Sequence, residues 1–141
     1  MKKILIINGP NLNMLGHREP EVYGKETLEN LKDYTESKIS GQAKLEWYQS
    51  NLEGDLVTRI QKASSEGYDA VIINPGGYAH TSVAIHDALK ILKIPVIEVH
   101  LSQVYKREEF RHTLLTAKAA TAIMTGFGKQ TYYIAINSQL H

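Results

Sequence analysis

The sequence predicts an α/β fold: one doubly wound, parallel five-stranded sheet with helices on both faces, in a single domain spanning residues 1–141. Three observations predict it. The runs Ile4 to Ile7, Ala70 to Ile73 and Val96 to Val99 are continuously apolar, as strands buried on both faces must be. Segments with helical spacing of apolar residues lie between these runs. Strand and helix therefore alternate, a pattern that leads to right-handed crossovers and a ligand crevice at the carboxyl ends of the strands.

Each element has its own signal. Ile4 to Ile7 is the first strand, and Leu28, Leu31 and Tyr34 mark the apolar face of the helix after it. Leu45 to Tyr48 is more mixed and reads as an edge strand. Leu56, Ile60 and Ala63 form the next helical face, stopped by Gly67. After Ala70 to Ile73, a helix carrying Ala84, Ala88, Ile91 and Leu92 ends before Pro95. Val96 to Val99 comes next. A fifth strand is expected over Ala119 to Thr125, and the tail from Tyr132 to Leu140 reads as a closing helix. The turns after the first, third and fourth strands, at Asn8 to Asn11, Asn74 to Gly77 and His100 to Ser102, are polar or glycine-rich. Gly9 to Gly24 is the longest irregular stretch, beyond the ~12–15 residues at which a structureless loop becomes unusual. It reads as an active-site lid over about residues 16–24, with glycines able to act as hinges.

Composition narrows the function. A chain of 141 residues buries roughly 68–70% of its unfolded surface and needs no covalent staples. Sixteen basic against 15 acidic residues give a formal net charge of +1, which argues against a nucleic-acid or anionic-membrane role and for a small ligand. The absence of cysteine excludes disulfides, thiol catalysis and thiolate-bound metals, and suits a reducing compartment. Met1-Lys2-Lys3 with four apolar residues is too short for a signal peptide, and no apolar run nears the ~18 residues of a membrane span. A cytoplasmic location is expected. Arginine, a fixed fork matched to carboxylates, is used at only four places: Arg18, Arg59, Arg107 and Arg111. Of these, Arg59 reads as ordinary surface.

Several constellations bear on chemistry. Gly126-Phe127-Gly128 begins like a dinucleotide fingerprint, but Thr131 stands where the third glycine belongs. A phosphoacceptor domain of this architecture would need an aspartate where Asn74 stands and an acidic pair near Asn8. His80 and His86 are not spaced to bring two imidazoles onto one helix face, so no metal site is expected. Glu98 and His100, two apart on a strand, point to the same side, and Glu98 interrupts an apolar run. A solvated strand end is one reading. The other is a histidine general acid held by a carboxylate that needs a buried partner. Tyr23, five residues after Arg18, is either loop packing or a base. Acting as phenolate near neutrality would require its pKa to fall by roughly 2–3 from about 10, equivalent to about 3–4 kcal/mol, which nearby guanidinium groups can supply. Arg107-Glu108-Glu109-Phe110-Arg111 starts a short helix over the crevice. It is a salt-bridged surface, or a means of aiming two arginines at an anion.

Three runs together, NGPNLNMLGHREPEVYG (Asn8 to Gly24), INPGGYAHTSVAIHDAL (Ile73 to Leu89) and IPVIEVHLSQVYKREEFR (Ile94 to Arg111), resemble the signature segments of the type II 3-dehydroquinate dehydratases. The resemblance covers nearly the whole chain in the family's order. It implies a flavodoxin-like fold, no metal or organic cofactor, trimers assembled into a dodecamer, and the shikimate route to chorismate and the aromatic amino acids. The implied reaction is an anti elimination of water from 3-dehydroquinate through an enolate, giving 3-dehydroshikimate. The resemblance assigns Tyr23 as the base at C2 and His100 as the acid at the C1 hydroxyl. Arg18 corresponds to the lid arginine supporting the tyrosinate, and Arg107 to a second cation. Asn11 corresponds to the residue holding a water near the enolate oxygen, and Glu98 to the partner of the histidine. Substrate contacts fall on Asn74, His80, Leu101, Ser102 and Arg111, while Asp87 reaches the site of a neighbouring subunit. The chain departs from the family pattern at Gln103 and Tyr105, at Thr113-Leu114, and at His86, where arginine is common. A non-catalytic small-ligand domain on the same scaffold is the alternative.

Overall fold

The computed structural model describes residues 1–141, with the side chain of Tyr23 outside the described residues. The strands are β1 (Lys2–Asn8), β2 (Ala43–Gln49), β3 (Ala70–Asn74), β4 (Val96–His100) and β5 (Ala122–Thr125). The helices are α1 (Pro20–Tyr23), α2 (Leu28–Ile39), α3 (Glu53–Ala63), α4 (Val83–Leu89) and α5 (Thr131–Asn137). All strand pairs are parallel, in the order β2-β1-β3-β4-β5. This is the expected flavodoxin-like doubly wound sheet. Because the chain winds to β2 on one side of β1 and to β3 on the other, a crevice opens between the carboxyl ends of β1 and β3.

The continuous apolar runs divide their residues between two cores. Ile4, Ile6, Ile72, Ile97 and Val99 face α2 and α5, where Leu31, Ile39, Tyr132 and Ile136 meet them. Leu5, Ile7, Val71, Ile73 and Val96 face the other way onto Leu56 and Ile60 of α3 and Ile85, Ala88 and Leu89 of α4. A strand in the middle of such a sheet has no wet face, and this is why polar alternation is missing from the sequence. Helix starts are chemically marked. Thr27 accepts from the Asn30 backbone N–H at 3.1 Å while the Asn30 side chain accepts from Thr27 N–H, a reciprocal cap for α2. Ser82 caps α4 at the Ile85 N–H and donates to Glu53 at 2.5 Å, tying α4 to the first turn of α3.

Some expectations are corrected. The fifth strand starts at Ala122, because Thr116–Ala119 forms a 3₁₀ turn and the ladder to β4 begins only at Ile97 opposite Ala122. The Ser82 cap rotates α4 so that Ile85, Ala88 and Leu89 face the sheet, leaving Ala84 and Ile91 exposed. The stretch from Gly9 to Gly24 is not structureless: it contains the 3₁₀ turn Leu12–Met14 and α1, with Pro20 at its first position. The short helix expected to start at Arg107 is a 3₁₀ helix that starts two residues later, at Glu109–His112, and a second 3₁₀ helix at Val104–Lys106 precedes it. Arg59 is not ordinary surface. Its side chain is largely covered, paired with Glu66 at 2.6 Å and donating to the Tyr68 hydroxyl at 2.8 Å. Tyr68 in turn donates to Glu46, which holds that carboxyl below the usual carboxylate range. The edge strand at β2 and the closing helix α5 are as expected.

Candidate active site

The turns after β1, β3 and β4 converge on one cavity of about 110 Å³, lined by Pro10, Asn11, Leu12, Leu15, Arg18, Asn74, Gly76, Gly77, His80, His100, Leu101, Ser102, Val104, Arg107 and Arg111. Two of these turns pack backbone against backbone. A Cβ on Gly9 would lie 2.3 Å from the Pro75 carbonyl oxygen, so only glycine fits there. Gly76 sits at φ +60° beside the Pro10 carbonyl. Asn11 adopts a left-handed conformation at φ 68°, with its backbone N–H donated to Asn51 Oδ1 at 2.9 Å. Asn51 thereby anchors the loop that carries Asn11.

Glu98 is fully buried on β4 and uses both oxygens. The Thr116 hydroxyl donates to Oε1, and Oε2 lies 2.8 Å from His100 Nε2. An ionised carboxylate only accepts, so Nε2 carries the hydrogen and Nδ1 is the ring atom left for chemistry. His80 stacks near His100, with ring centroids 6.2 Å apart. Its Nδ1 donates to the Thr113 carbonyl at 2.9 Å, and burial pushes its pKa down, favouring the neutral ring with Nε2 as acceptor.

Three arginines bring positive charge to the cavity. Arg107 donates to Ser102 Oγ at 3.3 Å, and Arg111 pairs with Glu108 at 3.1 Å. Glu108 is held below the usual carboxylate range, first by its own backbone N–H and then by Arg111. Glu19 Oε2 lies 3.6 Å from Arg18 and 3.9 Å from Arg107, linking the segment before α1 to the turn after β4. Thr125 fastens that turn from β5: its hydroxyl donates to the Ser102 carbonyl at 2.7 Å and accepts from Val104 N–H at 3.2 Å.

Nine of the expected residues thus line one cavity: Asn11, Arg18, Asn74, His80, His100, Leu101, Ser102, Arg107 and Arg111. Glu98 stands directly behind His100. Tyr23 lies outside the residues whose side chains are described. Asp87 is not in the cavity of its own chain; it is exposed on α4, with His86 Nδ1 2.9 Å away. Gln103 accepts from the Tyr105 N–H at 3.0 Å, and Tyr105 points outward beside His112. Among the described residues, no cluster of three or more His, Asp or Glu side chains is placed to hold a metal ion, and no helix is long and apolar enough to cross a membrane. Sequence reasoning missed Thr116, Tyr132, Asn51 and Glu19. Of these, only Glu19, next to Arg18, carried any local signal.

The arrangement suits acid–base work on an anionic ligand: an oriented imidazole, a neutral imidazole acceptor and converging guanidinium groups. The family model described as dehydroquinase class II matches residues 2–140. The chain is 49% identical over 138 residues to a 3-dehydroquinate dehydratase of Clostridium perfringens, covering 96% of this chain and 95% of the relative. It is 49% identical over 137 residues to a 3-dehydroquinate dehydratase of Caldicellulosiruptor bescii, covering 96% and 94%. A crystal structure of a type II dehydroquinase from Butyrivibrio crossotus superposes with a TM-score of 0.96 at 44% identity, covering 99% of this chain and 98% of that one.

Proposed function

The chain belongs to the dehydroquinase class II family, and on that premise we propose that it removes water from 3-dehydroquinate to give 3-dehydroshikimate, a hydro-lyase reaction of the shikimate route. The observation that carries this reading is the Glu98–His100 pair opening into a cavity lined by Arg18, Arg107 and Arg111.

The proton at C2, beside the ketone, is weakly acidic, so its removal needs a positioned base and stabilisation of the enolate that forms. Tyr23 as phenolate takes that proton, supported by Arg18 and Arg107. The enolate electrons return to form the C1–C2 double bond as the C1 hydroxyl leaves. His100 protonates that hydroxyl, so the leaving group departs as water. Glu98 supports this role because a carboxylate on Nε2 holds the ring in orientation and faces its positive charge. Asn11 holds a water against the enolate oxygen. Asn74, His80, Leu101, Ser102 and Arg111 bind the substrate, with the main-chain N–H groups of Leu101 and Ser102 meeting its carboxylate. The chemistry calls on no metal or organic cofactor. Residues 16–24 act as a lid that excludes water once closed.

The chain works in the cytoplasm as a dodecamer of trimers, and Asp87 enters the site of a neighbouring subunit. The exposed position of Asp87 on α4 supports that assignment, because within one chain it has no access to the cavity. Incubating the chelator-dialysed chain with 3-dehydroquinate should raise the ultraviolet absorbance of the conjugated enone product. No enone at high protein concentration would refute the proposal and favour a non-catalytic ligand-binding role.

A further inference from the structure

Asn8 and Asn74 end adjacent strands and are register partners across β1 and β3. Both are buried. Between them sits the hydroxyl of Tyr132, a fully buried residue from α5 that the proposed reaction does not use. Gly126 and Gly128, both at positive φ, turn the chain from β5 toward α5, which packs on β3 and β4. The glycine pair that looked like a fragment of a nucleotide motif is thus part of the turn that delivers this tyrosine.

The hydrogen-bond directions leave one arrangement. A phenol has one proton, and Tyr132 donates it to Asn8 Oδ1. Its contact with Asn74 Nδ2, at 3.2 Å, must then be an N–H donated to the phenol oxygen. On the other side, Asn74 Oδ1 accepts from the Gly76 N–H at 3.2 Å. Turning the Asn74 carboxamide over would set its NH₂ against the Gly76 N–H and its carbonyl against a phenol oxygen whose proton is already given away. Burial pushes the Tyr132 pKa up, so the phenol keeps its proton throughout the working range. The second Nδ2 hydrogen of Asn74 has no protein acceptor among the described residues, and Asn74 lines the cavity.

We propose that Tyr132 is a positioning residue: its hydroxyl fixes the Asn74 carboxamide so that the side chain presents an N–H donor to the cavity. The inference rests on the cavity being the substrate site. Tyr132 acts on binding geometry and leaves the proton-transfer groups untouched, so its removal moves KM more than kcat.

The test is a double-mutant cycle in turnover of 3-dehydroquinate. Tyr132→Phe keeps the ring and its edge contact with Trp47, and should raise KM about three- to tenfold, the worth of one hydrogen bond, with kcat within about twofold. In an Asn74→Ala background the same change should move KM by less than about twofold, because its effect passes through Asn74. Asn8→Ala, which frees the phenol proton from the far side, should raise KM in the same way and serves if Tyr132→Phe folds poorly. An unchanged KM in both single variants, or an equal Tyr132→Phe effect with and without Asn74, overturns the inference. A wild-type chain inactive on 3-dehydroquinate refutes the proposed function instead. The inference is then read from the side-chain amide protons of Asn74 in ¹⁵N-labelled protein. Faster solvent exchange in Tyr132→Phe supports it, and unchanged signals overturn it.

Discussion

Glu98 and His100 meet carboxylate to imidazole at 2.8 Å from the same face of β4, and Glu98 has no exposed surface at all. A charge so placed persists only with both oxygens engaged, and the second is engaged by Thr116 from a turn that precedes β5. The pair is therefore a trio.

Replacing Thr116 by valine keeps the shape and deletes the donor. Leaving a buried carboxylate oxygen unpaired should lower stability by about 1–3 kcal/mol. It should also lower kcat by on the order of tenfold, because the ring that Glu98 orients is no longer held. Thr116→Ser, which retains the hydroxyl, should restore most of both. Denaturant melts and steady-state rates on the two variants check this.

Gly9 marks where the β1 and β3 turns touch. In Gly9→Ala the new methyl meets the Pro75 carbonyl, so the turns must separate at a penalty of about 1–3 kcal/mol or more, and the cavity they frame should lose activity. Gly54→Ala, where a Cβ meets open space at ordinary φ, should instead be neutral or stabilise by up to about 1 kcal/mol. The two midpoints in urea separate close packing from a general intolerance of alanine.

His80 gives a pH dependence with a definite sign. Burial depresses its folded pKa, so the unfolded chain binds the proton more readily. The native state then loses stability as pH falls from about 6.5, the unfolded value, through the folded one, and this loss is absent above about 6.5. His80→Asn, which keeps a donor for the Thr113 carbonyl, should flatten that part of the curve. Urea midpoints measured from acid to neutral pH test it, and an unchanged slope would contradict it.

The proposed entry of Asp87 into a neighbouring subunit's site predicts complementation. Asp87→Ala and His100→Ala homo-oligomers should each be nearly inactive. Dissociated, mixed and reassembled, they should regain part of the activity, because some sites pair an intact His100 with a neighbour's intact Asp87. No recovery on mixing would remove Asp87 from the neighbouring site.

The central strands were legible because burial on both faces leaves a continuous apolar run, as in Ile4 to Ile7. Glu98 and His100 were legible for a related reason: a period of two on a strand puts both side chains on one face, and a carboxylate in an apolar run demands a partner. Thr116 was not, since its bond to Glu98 crosses from a separate turn and nothing local marks it. Tyr132 was hidden by distance, as 124 residues separate it from Asn8. Arg59 reads as surface in the sequence because its cover comes from Tyr68 and Glu66, beyond the end of α3, and helical periodicity is blind to residues outside the helix. The stretch from Gly9 to Gly24 was readable as unusual in length, while its 3₁₀ turn and α1 depend on left-handed residues at Asn11 and Glu19 that no periodicity reveals.

In the proposed reaction His100, held by Glu98, completes the elimination of water from 3-dehydroquinate. The measurement that bears on it most directly is the initial rate of enone absorbance for the wild-type chain and for His100→Ala at saturating substrate. The wild type should form product steadily, and kcat should fall about 10²–10⁴-fold in the variant, the share usual for a positioned acid, with substrate binding still measurable. Equal rates in the two proteins would contradict it.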